Sequence, residues 1–216
     1  MKKILVFSVL LSLLLSLQPA QATIGLGLGV KASTLGIGFE ITKSTIDKLN
    51  IRAGMASYKF AFDGEMTEQE VEYAADLNLS SWQLMADYHP WNKSFHLSLG
   101  VIGNGNKVET TITPMTEQTM GGRTYSVERQ GQLFSTFDWA KIAPYFGLGW
   151  GNAAQPGRGL GFNLDIGAMY QNSPNIELVG TEMLTPTAEL NQQLFDDSFE
   201  GAKVWFVMSL SLSFSF

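Results

Sequence analysis

The stretch that decides the fold is Val207–Phe216, VMSLSLSFSF, at the end of the chain. Met208, Leu210, Leu212, Phe214 and Phe216 alternate with Ser209, Ser211, Ser213 and Ser215. A period of two is that of an extended strand, whose successive side chains point to opposite faces. One face is apolar and the other carries small hydroxyls.

The same two-faced pattern runs back through the chain. Ile24, Leu26, Leu28 and Val30 oppose Gly25, Gly27 and Gly29. After a turn at Ala32-Ser33, Leu35, Ile37, Phe39 and Ile41 oppose Gly36, Gly38 and Glu40. Further segments follow at LNIRAGM (49–55), SWQLMADYHP (81–90), FHLSLGV (95–101), IAPYFGLGWG (142–151) and LGFNLDIGAMY (160–170). With the terminal run they make eight strong segments, each near the ~9–11 tilted residues that cross a bilayer. FSTFDWA (134–140) and NIELVG (175–180) are weaker. They raise the count to ten if they are independent strands, and leave it at eight if they prolong long strands beyond the membrane. The reading is an all-β, antiparallel, up-and-down transmembrane barrel, eight strands favoured over ten. An even number returns both ends to the same side.

Connections alternate in length. ITKSTIDKL (41–49) and HPWNKS (89–94) read as short turns, whereas AFDGEMTEQEVEYAAD (61–76) and 104–130 read as long polar outer connections. In 185–201, Leu190, Leu194 and Phe195 share a helical face between Pro186 and Gly201, which predicts a short helix in the last outer loop.

The totals are 14 Lys and Arg against 20 Asp and Glu, a net charge of −6, and no cysteine. An acidic chain lacks the basic footprint of a nucleic-acid binder. Without cysteine there are no disulfides, thiolate metal sites or thiol nucleophiles. The start has the three parts of an export leader: Lys2-Lys3, the apolar run Ile4–Leu17 and the small-residue pattern Ala20-Gln21-Ala22. Residues 1–22 are expected to be cleaved before Thr23, leaving 23–216 as one barrel domain.

Alternation alone does not say whether the apolar face looks outward to lipid or inward to a ligand. The opposite face decides it: it is mainly Gly and Ser with isolated charges. Such residues suit a narrow eight-stranded interior better than a water-washed exterior. Trp82, Tyr88, Trp91, Phe95, Trp150 and Tyr170 lie toward segment ends, as an interfacial girdle would. The inner face then collects Glu40, Arg52, Gln83, Asp87, His96, Tyr145, Asn163 and Asp165. Buried charges must pair, and an Arg52–Glu40 pair across neighbouring strands is the natural expectation. His89, in the turn before Pro90, is expected to face solvent. Two histidines and no cysteine make zinc improbable. The GLGLG and GLGWG runs have no helix after them and are not phosphate loops. Asp63, Glu65, Glu68, Glu70 and Glu72 read as a solvated loop. No cofactor is expected.

The runs NIRAGMASYKFAFD (50–63), YAADLNLSSWQLMADYHPW (73–91), NGNK (104–107), APYFGLGWGN (143–152) and GFNLDIGAMYQNSP (161–174) resemble one branch of the small Gram-negative porin-like (OmpA-type) outer-membrane barrels. The resemblance spans nearly the whole mature chain. It implies a place in the outer membrane, with lipid and lipopolysaccharide as surroundings. It also implies that Leu210, Leu212, Phe214 and Phe216 present the terminal strand to the outer-membrane assembly machinery. No catalytic motif comes with it. His96 and Ser98 with a carboxylate resemble the arrangement of an outer-membrane lipid A deacylase, but residues two apart on a strand stand about 6.6–7 Å apart along it. The function expected is structural or surface-interactive, its surface partner unidentified, with a narrow channel as the alternative and a lipid-modifying enzyme as a distant one.

Overall fold

The computed structural model describes residues 25–68, 70–91, 94–120, 122–154, 157, 159–185, 201 and 203–216. The expected leader lies outside them, and so does nearly all of the expected outer-loop helix. The strands are β1 (Leu26–Ser33), β2 (Gly36–Ile46), β3 (Leu49–Met66), β4 (Val71–Tyr88), β5 (Phe95–Asn104), β6 (Lys107–Pro114), β7 (Gln118–Met120), β8 (Arg123–Tyr125), β9 (Leu133–Asp138), β10 (Ile142–Trp150), β11 (Gly159–Tyr170), β12 (Asn175–Gly180) and β13 (Val204–Ser215). Among the described residues a single turn of helix, α1 (Val127–Gln130), and a 3-10 turn, Glu182–Leu184, complete the elements.

Eight strands close a ring in the order β1, β2, β3, β4, β5, β10, β11, β13, every pair antiparallel. The terminal alternation makes the closure. β13 pairs with β1 from Gly27↔Ser215 to Ser33↔Ser209, and the Phe216 N–H donates to the Leu26 carbonyl at 2.9 Å. The eight strong segments of the sequence are these eight strands.

The faces are inverted relative to a soluble barrel. Along β2 the burial alternates without a break from Gly36 to Lys43, and Ile37 and Phe39 are 62% and 61% exposed while Glu40 is 4%. Leu99, Phe146, Leu160 and Phe206 likewise stand outside; Ser209, Ser211, Ser213 and Ser215 are buried inside. Tyr88, Trp91, Phe95 and Trp150 gather near the turn-side rim, where Phe95 packs on both Trp91 and Trp150 at centroid distances of 5.3 and 5.5 Å. Trp82 and Tyr170 stand exposed toward the other end.

Above the ring the wall continues on one side only. The upper half of β4 leaves β5 and pairs with β6, which pairs with β9, which pairs with β12. With the upper half of β3 this is a five-stranded extension over part of the barrel mouth. The two weaker segments are therefore β9 and β12, prolonging β10 and β11. Residues 61–76 are strand except at the turn around 67–70, and most of 104–130 is ordered as β6 to β8 and α1, where sequence suggested long connections. The first turn is Thr34-Leu35, two residues later than the expected Ala32-Ser33, and the β2–β3 turn is only Asp47-Lys48. Asp63, Glu65 and Glu72 accordingly sit on strands.

Candidate functional site

The inward side chains form two zones. The lower and middle lumen is polar and centres on Arg52 of β3. Its guanidinium grips Asp165 of β11 with both Nη atoms, Nη1 to Oδ2 at 2.9 Å and Nη2 to Oδ1 at 3.0 Å. On its other side Nη2 donates to Asp87 Oδ1 of β4 at 3.1 Å, and Nε lies 2.9 Å from Asp87 Oδ2. That last approach is a charge contact, not an aligned hydrogen bond. One planar cation thus ties β3 to β4 and, across the barrel, to β11, the bidentate recognition at which arginine excels.

Around this brace further side chains bond the carboxylates. His96 Nε2 meets Asp165 Oδ1 at 2.8 Å, Ser209 Oγ donates to Asp165 Oδ2 at 3.3 Å, and Ser98 Oγ donates to Asp87 Oδ1 at 2.6 Å. Glu40 accepts from Ser211 Oγ at 2.8 Å and stands 3.7 Å from Arg52 Nη1. The expected Arg52–Glu40 pair is therefore the weakest of the guanidinium's three carboxylate contacts. Register does not separate the two neighbouring-strand carboxylates, since Glu40 pairs with Gly54 and Asp87 with Asn50, each two residues from Arg52. Asn163 donates to Ser211 and Ser213 at 3.3 Å, and Gln83 accepts from Lys31. Glu40, Arg52, Gln83, Asp87, His96, Asn163 and Asp165 are all buried and belong to this network.

Tyr145 is the exception among the expected lumen polar residues. Its ring joins Leu35, Met85, Ile102, Ala143, Met169 and Val207 in an apolar layer above the charges, with Trp205 packed against it. Leu35 enters from the β1–β2 turn and is 1% exposed, so it does not share the outer face with Ile37. The tyrosine fits because β10 and β11 place Gly147 and Gly167 beneath its hydroxyl: a Cβ there would lie 2.3 and 2.4 Å from Oη. This layer lies between the charges and the long hairpins.

The other end holds described residues of the β10–β11 connection. Ala153 and Ala154 are buried, and Ala153's carbonyl comes so close to β1 that a Cβ on Gly27 would lie 1.8 Å away. Asn152 Oδ1 accepts from Asn50 Nδ2 at 3.0 Å, and Ser215 Oγ donates to the Gly157 carbonyl at 3.0 Å. The Gly151 carbonyl lies 3.4 Å from His89 Nε2 and 3.2 Å from His96 Nδ1. His89 is 3% exposed, contrary to its expected place in solvent, because this loop folds over it. Burial, and then the neighbouring His96, push its pKa below the ordinary histidine value.

Sequence reasoning missed Lys31, 4% exposed inside the barrel. Placing the turn at Ala32-Ser33 stopped the alternation at Val30; one more step inward reaches Lys31. In the histidine–serine pair, Ser98 Oγ donates a hydrogen bond to Asp87, while the two ring nitrogens of His96 meet the Gly151 carbonyl and Asp165.

No protein-family model and no curated protein matches the chain. Solved structures do. The crystal structure of Acinetobacter baumannii CarO aligns with a TM-score of 0.60 at 14% identity, over 92% of this chain and 100% of its own. That of Acinetobacter baumannii CarO2 gives 0.59 at 16%, over 91% and 100%. At such identity the likeness is one of fold: an antiparallel up-and-down barrel.

Proposed function

We propose that the chain is an integral outer-membrane barrel with a closed lumen and no catalytic site, whose role is structural or exercised through the sheet above the barrel. The carrying observation is the combination of an apolar exterior with an interior that holds the buried Ala153 and Ala154, the Arg52 brace and the Leu35–Met85–Ile102–Tyr145–Met169 layer. Contiguous apolar surface of this extent on a closed strand ring suits hydrocarbon. The long hairpins then face the cell exterior and both termini the periplasm. Membrane lipid and lipopolysaccharide surround the wall. Leu210, Leu212, Phe214 and Phe216 serve as the signal read by the assembly machinery.

The competing reading is a narrow channel, which requires the apolar layer to part. Single-channel recording of the refolded mature protein in a planar bilayer separates the two. The proposal expects no steady conductance; discrete, reproducible openings of the parent protein would overturn it.

A further inference from the structure

Among the described residues the upper half of β3 is an open edge. β2 pairs with β3 only as far as Ile37↔Ser57, so among the described residues Tyr58–Met66 has β4 on one side and no strand on the other. The His89 N–H donates to the Lys48 carbonyl, which marks 48/89 as a bonded pair in the β3–β4 ladder. Alternation from there leaves Lys59, Ala61, Asp63 and Glu65 with N–H and C=O directed away from β4. Edges this long are usually blunted by proline, a bulge or inward charges. Here the register runs without a bulge to Met66, and the inward side carries Tyr58, Phe60 and Phe62, exposed by 47%, 51% and 44%. Phe60 and Phe62 stack at 5.8 Å. The outward side is acidic: Asp63 and Glu65, backed by Glu72 and Asp76 on β4, against Lys59 alone.

We propose that this edge takes up an extended peptide as an added strand, its inward side chains apolar against Tyr58, Phe60 and Phe62 and its outward side chains basic against Asp63 and Glu65. Strand addition of this kind draws affinity from main-chain bonds and selectivity from alternate side chains. A second copy in the same membrane does not fit. A two-fold along the membrane normal crosses two strands tilted by ~35–45° at about 70–90°, never edge to edge.

The inference rests on the reading that this sheet stands outside the cell, and the two are tested separately. The chain has no cysteine, so a Glu65→Cys variant reports exposure by maleimide labelling of intact cells. No labelling overturns the reading of location, and the inference with it. Binding is measured on the refolded protein in micelles with a peptide of alternating valine and lysine long enough to span 58–66. Amide exchange by NMR should slow at Lys59, Ala61, Asp63 and Glu65 and stay unchanged at Tyr58, Phe60 and Phe62, already bonded to β4. Ala61→Pro removes one edge donor while sparing the β4 ladder, and should weaken binding about tenfold; Ala61→Val should bind as the parent does. A valine–glutamate peptide of the same length should bind at least about tenfold more weakly. Three results overturn the inference alone in protein labelled from outside: the four amides protected before peptide is added, binding indifferent to Ala61→Pro, or equal binding of both peptides. Exchange in the parent protein decides the matter even if the proline variant does not assemble.

Discussion

Replacing Arg52 by alanine removes the cation on which the polar lumen converges. Asp87 and Asp165, 4% and 2% exposed, then face each other and Glu40, with Lys31 the remaining lysine or arginine among the described side chains of the network. Breaking a buried ion pair by deleting one partner costs about 3–5 kcal/mol, because the orphaned charge stays out of water. Two carboxylates are orphaned here, but the loss should not double. Ser98 still donates to Asp87, and Ser209 and His96 still engage Asp165.

Urea unfolding of the refolded barrel, followed by tryptophan emission, reads the loss as a shift of the midpoint. For a slope of about 2 kcal/mol/M, a loss of about 4 kcal/mol moves it by about 2 M, with the slope unchanged if the folded barrel stays intact. Arg52→Lys should fall between parent and alanine variant, since an ammonium keeps the charge but not the two forks. A loss below about 1 kcal/mol for Arg52→Ala, the range of an exposed pair, would refute the argument. The alanine variant should also remain electrically silent, because the apolar layer above it is untouched; current through it would show that the brace, and not that layer, closes the lumen.

Gly147→Ala should destabilise the barrel by about 1–3 kcal/mol through overpacking against the Tyr145 hydroxyl. Tyr145→Phe should recover part of that loss in a double-mutant cycle by removing Oη, and strictly additive losses would place the clash elsewhere. His89 has a folded pKa below its ordinary value, so it favours folding in its neutral form; that contribution is present above about pH 6.5 and lost as pH falls through the folded value. His89→Gln should therefore flatten the loss of stability between about pH 7 and 5, and an unchanged acid limb in urea titrations would assign it to other groups. Deleting Phe216 removes its N–H bond to Leu26 and its ring from contact with Phe214 at 5.0 Å. The expectation is a lower amount of membrane-assembled barrel in cells at equal synthesis, and undiminished assembly would remove Phe216 from the signal.

Most of the ring was legible because alternation is a local property, visible over five to seven residues without knowing any partner. The same parity listed the lumen side chains, and it failed at Lys31 only because the turn was set two residues early. Partner choice was not legible. Arg52 bonds Asp165 across 113 positions of sequence, and that meeting follows from closure of the ring, which no strand records on its own. Tyr145 was assigned by its hydroxyl to the polar network, yet its level is set by the Tyr145↔Met169 register, which brings it among Met169, Ile102 and Val207. His89 was assigned to solvent because a turn usually meets it. Its burial depends on a loop sixty residues away folding inward.

The long β3–β4 hairpin shows why 61–76 resisted reading as strand. Its parity never changes: the register runs from Leu49↔Tyr88 to Met66↔Val71 with no bulge. The chemistry of its faces does change. Below Ser57↔Ser80 the outward side carries Ile51, Ala53, Met55, Leu84 and Trp82, and the inward side Arg52, Gln83 and Asp87. Above it the outward side carries Lys59, Asp63, Glu72 and Asp76, and the inward side Phe60, Phe62, Leu77 and Leu79. A strand that leaves hydrocarbon for water must exchange its dressing, since the outer face now needs polar groups and the inner face no longer lines a charged lumen. β6 obeys the same switch, with Val108 and Ile112 inward and Lys107 and Glu109 outward. A search for an apolar outer face therefore stops at the serine pair although the backbone continues. On the proposed membrane reading, the reversal marks the level at which the wall leaves hydrocarbon. On that reading the open β3 edge begins one residue above the boundary, where main-chain donors and acceptors can remain unpaired because water reaches them.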